Sequence, residues 1–115
     1  MGEHIESALD DAFFALSHQT RRRMLTQLAR ARETRVTDLA RRHRLSLNTV
    51  SKHVRVLERA RLVARRVAGR EHLLRIQPKR LAEAERWIAY HRRFWAEQLD
   101  ALAAFFETKE NQDDE

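Results

Sequence analysis

Apolar residues recur at helical spacing from the start of the chain. Ile5, Ala8, Leu9, Ala12, Phe13 and Leu16 fall on one side of a 3.6-residue repeat and predict a first amphipathic helix, broken at Ser17 or His18. Met24, Leu25, Leu28 and Ala29 predict a second helix, with Arg21, Arg22, Arg23 and Arg30 on its opposite, basic face. A short third helix is expected from about Val36 to His43, turning Val36, Leu39 and Ala40 inward. After the tight connection Arg44-Leu45-Ser46, a fourth helix runs from Leu47 to about Arg59, with Val50, Val54 and Leu57 as its buried stripe. Ser46 is a good N-cap for it, because a serine hydroxyl can accept an unpaired N–H of the first turn. Asn48, Thr49, Ser51, Lys52 and Arg55 lie off the apolar stripe and are expected to face outward.

The pattern then changes period. Leu62–Val67 and Glu71–Ile76 read as two strands around Ala68-Gly69-Arg70, a hairpin with glycine at its turn. Gln77-Pro78 restarts a helix, proline being suited to a helix start. This last helix is expected from about Lys79 to Phe106. Leu81, Ala84, Ile88, His91, Trp95, Leu99, Leu102 and Phe106 recur near every 3.5 residues, and Trp87, Tyr90, Phe94 and Phe105 broaden the stripe. A helix of about 28 residues spans roughly 42 Å, more than so small a core can cover, so the excess apolar surface needs a partner. Two short helices joined by a tight turn, the second polar and basic outside, describe a helix-turn-helix, and a hairpin directly after it is a wing. The expected fold is therefore mostly α with a small β-hairpin wing, a winged helix-turn-helix of about five helices. Residues 1–106 are expected to form one DNA-binding and dimerisation domain, and residues 107–115 an acidic, disordered tail.

At 115 residues the chain has the size of one domain, and 43% hydrophobic with 35% charged residues describes a folded chain with a heavily solvated exterior. Without cysteine, disulfides, thiolate metal sites and thiol catalysis are excluded. The N-terminus lacks the layout of a signal peptide, and no apolar run approaches the roughly 20 residues that span a bilayer. A cytoplasmic protein without membrane contact is expected.

The net charge of +6 is unevenly spread. His18–Arg80 carries 19 Lys and Arg against four Asp and Glu, a local charge of +15 that leaves −9 for the two flanks together. A basic middle between acidic ends suggests a face for a polyanion.

The order of elements, with Leu16-Ser-His-Gln-Thr-Arg-Arg-Arg-Met-Leu25, Val36-Thr-Asp-Leu-Ala40 and above all Leu45-Ser-Leu-Asn-Thr-Val-Ser-Lys-His-Val-Arg-Val-Leu-Glu58, resembles the ArsR family of winged-helix repressors. The likeness covers about residues 5 to 106 and is nearest to the cysteine-free, autorepressor-like branch without metal sites. Two departures stand out: Arg61 replaces a glycine common after the recognition helix, and Gln19 stands where many relatives place proline.

The resemblance implies a homodimer on double-stranded operator DNA, with Ser51, Lys52 and His53 at the contact surface. An α-helix fits the major groove, where Asn48 can bond adenine and Lys52 and Arg55 can reach guanine or phosphate. Ser46, Thr49 and Ser51 complete the helix's candidate set. Arg70 at the wing tip is suited to a minor groove, Arg65 and Arg66 to phosphates, and Thr37 to a phosphate anchor at a helix start. The expected dimer interface comprises Leu9 and Phe13 of the first helix and Trp87, Ile88, Tyr90, His91, Phe94, Trp95, Leu99, Leu102 and Phe106 of the last.

Arg35 and Thr37 stand where thiolate-sensing members of the family place cysteines, and neither binds a soft metal. His91 lacks the converging ligands a metal needs. No metal and no cofactor are expected. No nucleophile–base phrase, Gly-rich phosphate loop or H-E-x-x-H pattern points to an enzyme. The sequence leaves open an unidentified small-molecule effector, a metal- or ligand-responsive sensor on the same scaffold, and a basic module for RNA or protein.

Overall fold

The computed structural model describes residues 2–113, and side chains within it from Glu6 to Asn111. Met1, Asp114, Glu115 and the side chain of Ile5 lie outside the described residues. The elements are α1 (Gly2–Leu16), α2 (Gln19–Arg30), β1 (Thr34–Arg35), α3 (Val36–His43), α4 (Leu47–Arg59), β2 (Val63–Ala68), β3 (Glu71–Ile76) and α5 (Pro78–Asp113). They form two units, one ending at Ala84 and one starting at Glu85. No helix among the described residues is long and apolar enough to cross a membrane.

The first unit is held by a core to which nearly every element contributes. Met24 and Leu28 of α2, Leu39 of α3, Val50, Val54 and Leu57 of α4, Leu62, and Leu74 of β3 are fully buried. α1 adds Ala12 and Ala15, small residues that bring its backbone close to the core. Ala29, expected inward, is exposed.

Both helices around the helix-turn-helix connection end through left-handed residues that are not glycine. At the end of α4 the N–H of Arg61 donates to Glu58 O at 2.9 Å and that of Leu62 to Leu57 O at 3.0 Å. This is the Schellman pattern, which demands a left-handed residue at the position Arg61 holds, and its φ is 60°. Arg44 at φ 55° does the same for α3, and Leu45 N donates to Ala40 O at 3.0 Å. Ser46 caps α4, its Oγ accepting Thr49 N–H at 3.1 Å.

The wing hairpin pairs Val63 with Ile76 through Ala68 with Glu71 in antiparallel register. Gly69, at φ 63°, opens its two-residue turn, where a type II′ connection needs positive φ. A Cβ there would meet no atom within 4 Å, so backbone conformation, not space, selects glycine. The expected two strands are joined by a third: β1 pairs with the outer edge of β3, Thr34 opposite Leu74, giving the order β1-β3-β2.

Arg21 departs from the expected basic outer face of α2. It is only 7% exposed, and its guanidinium gathers acceptors from two helices. Nε donates to Ala15 O at 2.8 Å and Nη2 to Phe14 O at 3.2 Å, both carbonyls at the end of α1. Nη1 meets His53 Nδ1 on α4 at 3.2 Å. Burial disfavours its charged form, lowering its pKa, and carbonyls at a helix C-terminus are the groups that offset that cost.

In the second unit α5 continues through Asp113, past the helix end expected near Phe106. No Gly or Pro interrupts residues 107–113, and Thr108 Oγ1 bonds back to Ala104 O at 3.0 Å.

Replacing Arg61 by Gly removes the strain of a left-handed L-residue, about 1–2 kcal/mol, and adds part of glycine's entropic cost. The R61G chain is therefore expected to be more stable by about 0.5–1 kcal/mol, read as a raised urea midpoint with unchanged slope. A lowered midpoint contradicts the cap geometry. The pKa of His53 is depressed by burial first, then by the nearby His18 and Arg21. The unfolded chain thus takes up this proton before the folded one. The stability that neutral His53 contributes is full above about pH 6.5 and falls away as pH drops through the folded-state value. His53→Asn, which keeps an acceptor for Arg21, is expected to flatten the acid side of a Tm–pH profile; an unaltered profile speaks against this pairing.

Candidate nucleic-acid interface

The backbone of the helix-turn-helix determines which side chains of α4 reach solvent. With Val50, Val54 and Leu57 buried, the 100° step per residue sends Asn48, Lys52, Arg55 and Arg59 to the opposite side, and all four are exposed. They form one stripe along the helix. Thr49, Ser51 and His53 flank it, each half-buried. His53 faces inward to Arg21 and the His18 ring, 4.7 Å away between centroids, so it supports α4 from behind instead of standing on the outer stripe. Ser46 spends its hydroxyl on the cap and on Thr49 Oγ1 at 2.8 Å.

Beside this stripe lies a cleft of about 350 Å³, lined by Arg35, Val36 and Thr37 from the start of α3, Leu47 and Ser51 from α4, and Arg65, Arg70, Glu71 and His72 from the wing. Thr37 is exposed on the first turn of α3, whose N-cap Arg35 makes no side-chain capping bond, leaving N–H groups available there. The structure therefore brings the expected residues Thr37, Ser51, Arg65 and Arg70 around one cleft next to Asn48, Lys52 and Arg55.

The wing arginines divide into two kinds. Arg65 makes a two-bond pair with Glu58 of α4, Nη2 to Oε1 at 2.7 Å and Nε to Oε2 at 3.3 Å, and its third nitrogen meets His72 at 3.1 Å. Arg66 pairs with Glu33, both bonds 3.2 Å long. Both are expected phosphate ligands; in this DNA-free structure they pair with carboxylates that fasten the wing to α4 and to the segment before β1. Arg70 at the tip is exposed and has no carboxylate partner among the described residues, as is true of Lys52 and Arg55.

Sequence reasoning overlooked Leu47 and Arg59. Leu47 continues the three-and-four spacing of the buried stripe and so reads as core, yet it is 52% exposed because α4 begins there, beyond the core's reach. Arg59 is one turn past Arg55 on the same side, a signal the helical wheel already contained.

A second, separate surface occupies α5. Trp87 stacks on His91 with centroids 4.1 Å apart, and Trp95 meets Trp87 edge-on at 5.8 Å. His91 Nδ1–H donates to Trp87 O at 2.9 Å. Ile88, Tyr90, Phe94, Trp95, Leu99, Leu102, Phe105 and Phe106 are all exposed, Leu99 by 64%. Among the described residues no three His, Asp or Glu side chains converge to hold a metal.

Residues 16–66 match the model of a helix-turn-helix domain family. The chain is 34% identical over 100 residues, 87% of its length and 90% of the relative's, to the HTH-type transcriptional regulator Rv2034 of Mycobacterium tuberculosis. The solved ArsR-like transcriptional regulator from Rhodococcus sp. RHA1 is 30% identical and superposes with a TM-score of 0.71, over 89% of this chain and 93% of that one. The homodimeric winged helix-turn-helix DNA-binding domain of Mb0332 from Mycobacterium bovis, 23% identical, shares the fold at a TM-score of 0.64, over 86% and 88% of the two chains. With a recognition helix that turns a basic stripe outward, a wing braced beside it and these relatives, the chain belongs to the ArsR family of winged helix-turn-helix proteins and is a DNA-binding transcriptional regulator.

Proposed function

We propose that the protein is a homodimeric repressor whose two α4 helices read an imperfect palindrome, with half-sites about one helical turn, roughly 10 bp, apart. The observation that carries this reading is the exposed stripe Asn48–Lys52–Arg55 on the outer side of α4, with the exposed Arg70 on the wing, its cations without a carboxylate partner among the described residues. Asn48 is suited to an adenine edge, Lys52 and Arg55 to guanine or phosphate, and Thr37, Thr49 and Ser51 to the backbone that sets the register. Arg70 reaches for the minor groove beyond. Occupation of a promoter by such a dimer excludes polymerase, which makes repression the direct consequence of binding.

The second copy is called for by α5. Exposed aromatic and aliphatic side chains that recur over several turns of one helix mark an interaction surface. Trp87, Ile88, Tyr90, His91, Phe94, Trp95, Leu99, Leu102 and Phe106, with Leu9 and Phe13 of α1, are the residues we assign to the two-fold interface. Aromatic residues are enriched at such interfaces because each buries a large area at little entropic cost.

Selection from random duplex DNA is expected to enrich a palindrome. Lys52→Ala and Arg55→Ala should each weaken binding to it by about 1–3 kcal/mol while leaving the dimer intact. If each dimer makes about six to ten phosphate contacts, wild-type affinity should fall about 10³–10⁵-fold between 50 and 200 mM salt. A flat salt response, or enrichment of no palindrome, excludes this mode of binding. Trp95→Glu combined with Leu99→Glu places charge in the proposed interface. Sedimentation should then report a monomer, and operator affinity should fall with it; a variant that sediments as a dimer rules this interface out.

A further inference from the structure

Leu47 is a large apolar side chain at the N-terminal end of α4 that is exposed although it continues the spacing of the buried stripe, and the core does not account for it. It occupies the first turn of the helix, 52% exposed, immediately before Asn48. One turn on, Ser51 lines the same cleft, whose other walls are mostly polar or charged: Arg35, Thr37, Arg65, Arg70, Glu71 and His72. A lone exposed leucine on an arbitrary surface has no meaning. At the N-terminal end of a recognition helix its meaning changes, because those are the side chains that reach base edges. The major-groove floor is otherwise a pattern of hydrogen-bond donors and acceptors, and the 5-methyl of thymine is its apolar group. A leucine there has no hydrogen bond to make, and it takes with it the cost of facing polar edges if no methyl is present.

We propose that Leu47 is a specificity-determining residue that packs against the 5-methyl group of one thymine in each half-site, beside the base read by Asn48. This rests on the reading of α4 as the recognition helix, and the test separates the two. A duplex enriched by selection with the wild-type protein is remade with deoxyuridine at each thymine in turn, which removes the methyl and nothing else. At one thymine per half-site the change should weaken wild-type binding about four-fold, and about fifteen-fold when both half-sites are altered, from the loss of one buried methyl-sized group each. Leu47→Ala, a substitution at an exposed position by a strong helix former, should still bind the duplex but bind the thymine and deoxyuridine forms equally. Leu47→Gln, of similar length but polar, should shift the base selected at that position away from thymine. If the duplex is bound and Leu47→Ala retains the four-fold discrimination, or no thymine is sensitive in the wild type, the role of Leu47 is overturned while the recognition-helix reading stands. If the wild type enriches no duplex at all, both fall.

Discussion

A buried guanidinium holds the recognition helix in its place. α1 has no basic residue in its own last turn; Ser17 donates its N–H and its hydroxyl to Phe14 O at 3.1 and 2.6 Å, and arginines of α2 supply the further donors. Arg21 takes the carbonyls of Phe14 and Ala15, and its neighbour Arg22 takes that of Leu16 at 2.7 Å. A charge this well covered is costly unless each of its donors finds an acceptor. With two donors on α1, Arg21 turns Nη1 to His53 on the inner side of α4, a contact that requires the imidazole to present a lone pair. The same side chain thereby closes one helix and fixes the rotation of another. Rotation matters because Asn48, Lys52 and Arg55 lie opposite His53 and its buried neighbours; turning α4 by one residue would swing that stripe 100° away from a duplex.

The remaining arginines are sorted by where carboxylates stand. The basic stretch contains four acidic residues, and each of them faces an arginine: Glu58 faces Arg65, Glu33 faces Arg66, Glu71 faces Arg35, and Asp38 more loosely faces Arg41 at 3.9 Å. Partly exposed pairs of this kind contribute little stability. Their effect is geometric, since two of them fasten the wing at β2, once to the recognition helix and once to the segment before β1. Among the described residues, Lys52, Arg55 and Arg70 on this face have no carboxylate partner. Cations paired within the protein and cations left facing solvent are thus separated residue by residue, within a stretch that by composition looks uniformly basic.

That separation marks the limit of what could be read from the chain. The helices around the recognition element were legible because Val50, Val54 and Leu57 keep one period and Ser46 supplies the cap at the right spot, so the outward stripe followed from geometry alone. The conflict at Arg61 was legible too, since a Schellman ending asks for a left-handed residue whatever side chain is present. The burial of Arg21 was legible as well, since it stands three, four and seven residues before Met24, Leu25 and Leu28 and so falls on their stripe, away from Arg22 and Arg23; which acceptors its guanidinium finds was not. Arg65 and Arg66 looked like free cations because their partners are seven and 33 residues away. β1 spans two residues, too short to show any period, and exists as a strand only because the outer edge of β3 accepts it. The end of α5 was misjudged for another reason: acidic residues in a last turn oppose the helix dipole and read as a tail, but without Gly or Pro nothing stops the helix there.

A single recognition helix cannot define a site by itself. From Asn48 to Arg55 the outer stripe rises by roughly 10 Å at 1.5 Å per residue, about three base-pair steps of 3.4 Å. Three base pairs distinguish on the order of one sequence in 64, and each mismatch costs about 1–3 kcal/mol, too little to pick one promoter among the roughly 10⁶–10⁹ competing sites of a genome. A second copy doubles the base pairs read and, through a fixed spacing, makes the distance between half-sites part of the recognised pattern. The exposed apolar side of α5 and the exposed polar side of α4 answer to this one requirement under the proposed function. A surface that can span so few bases gains discrimination from a second copy, and an apolar helix face is the kind of surface that brings a second copy in.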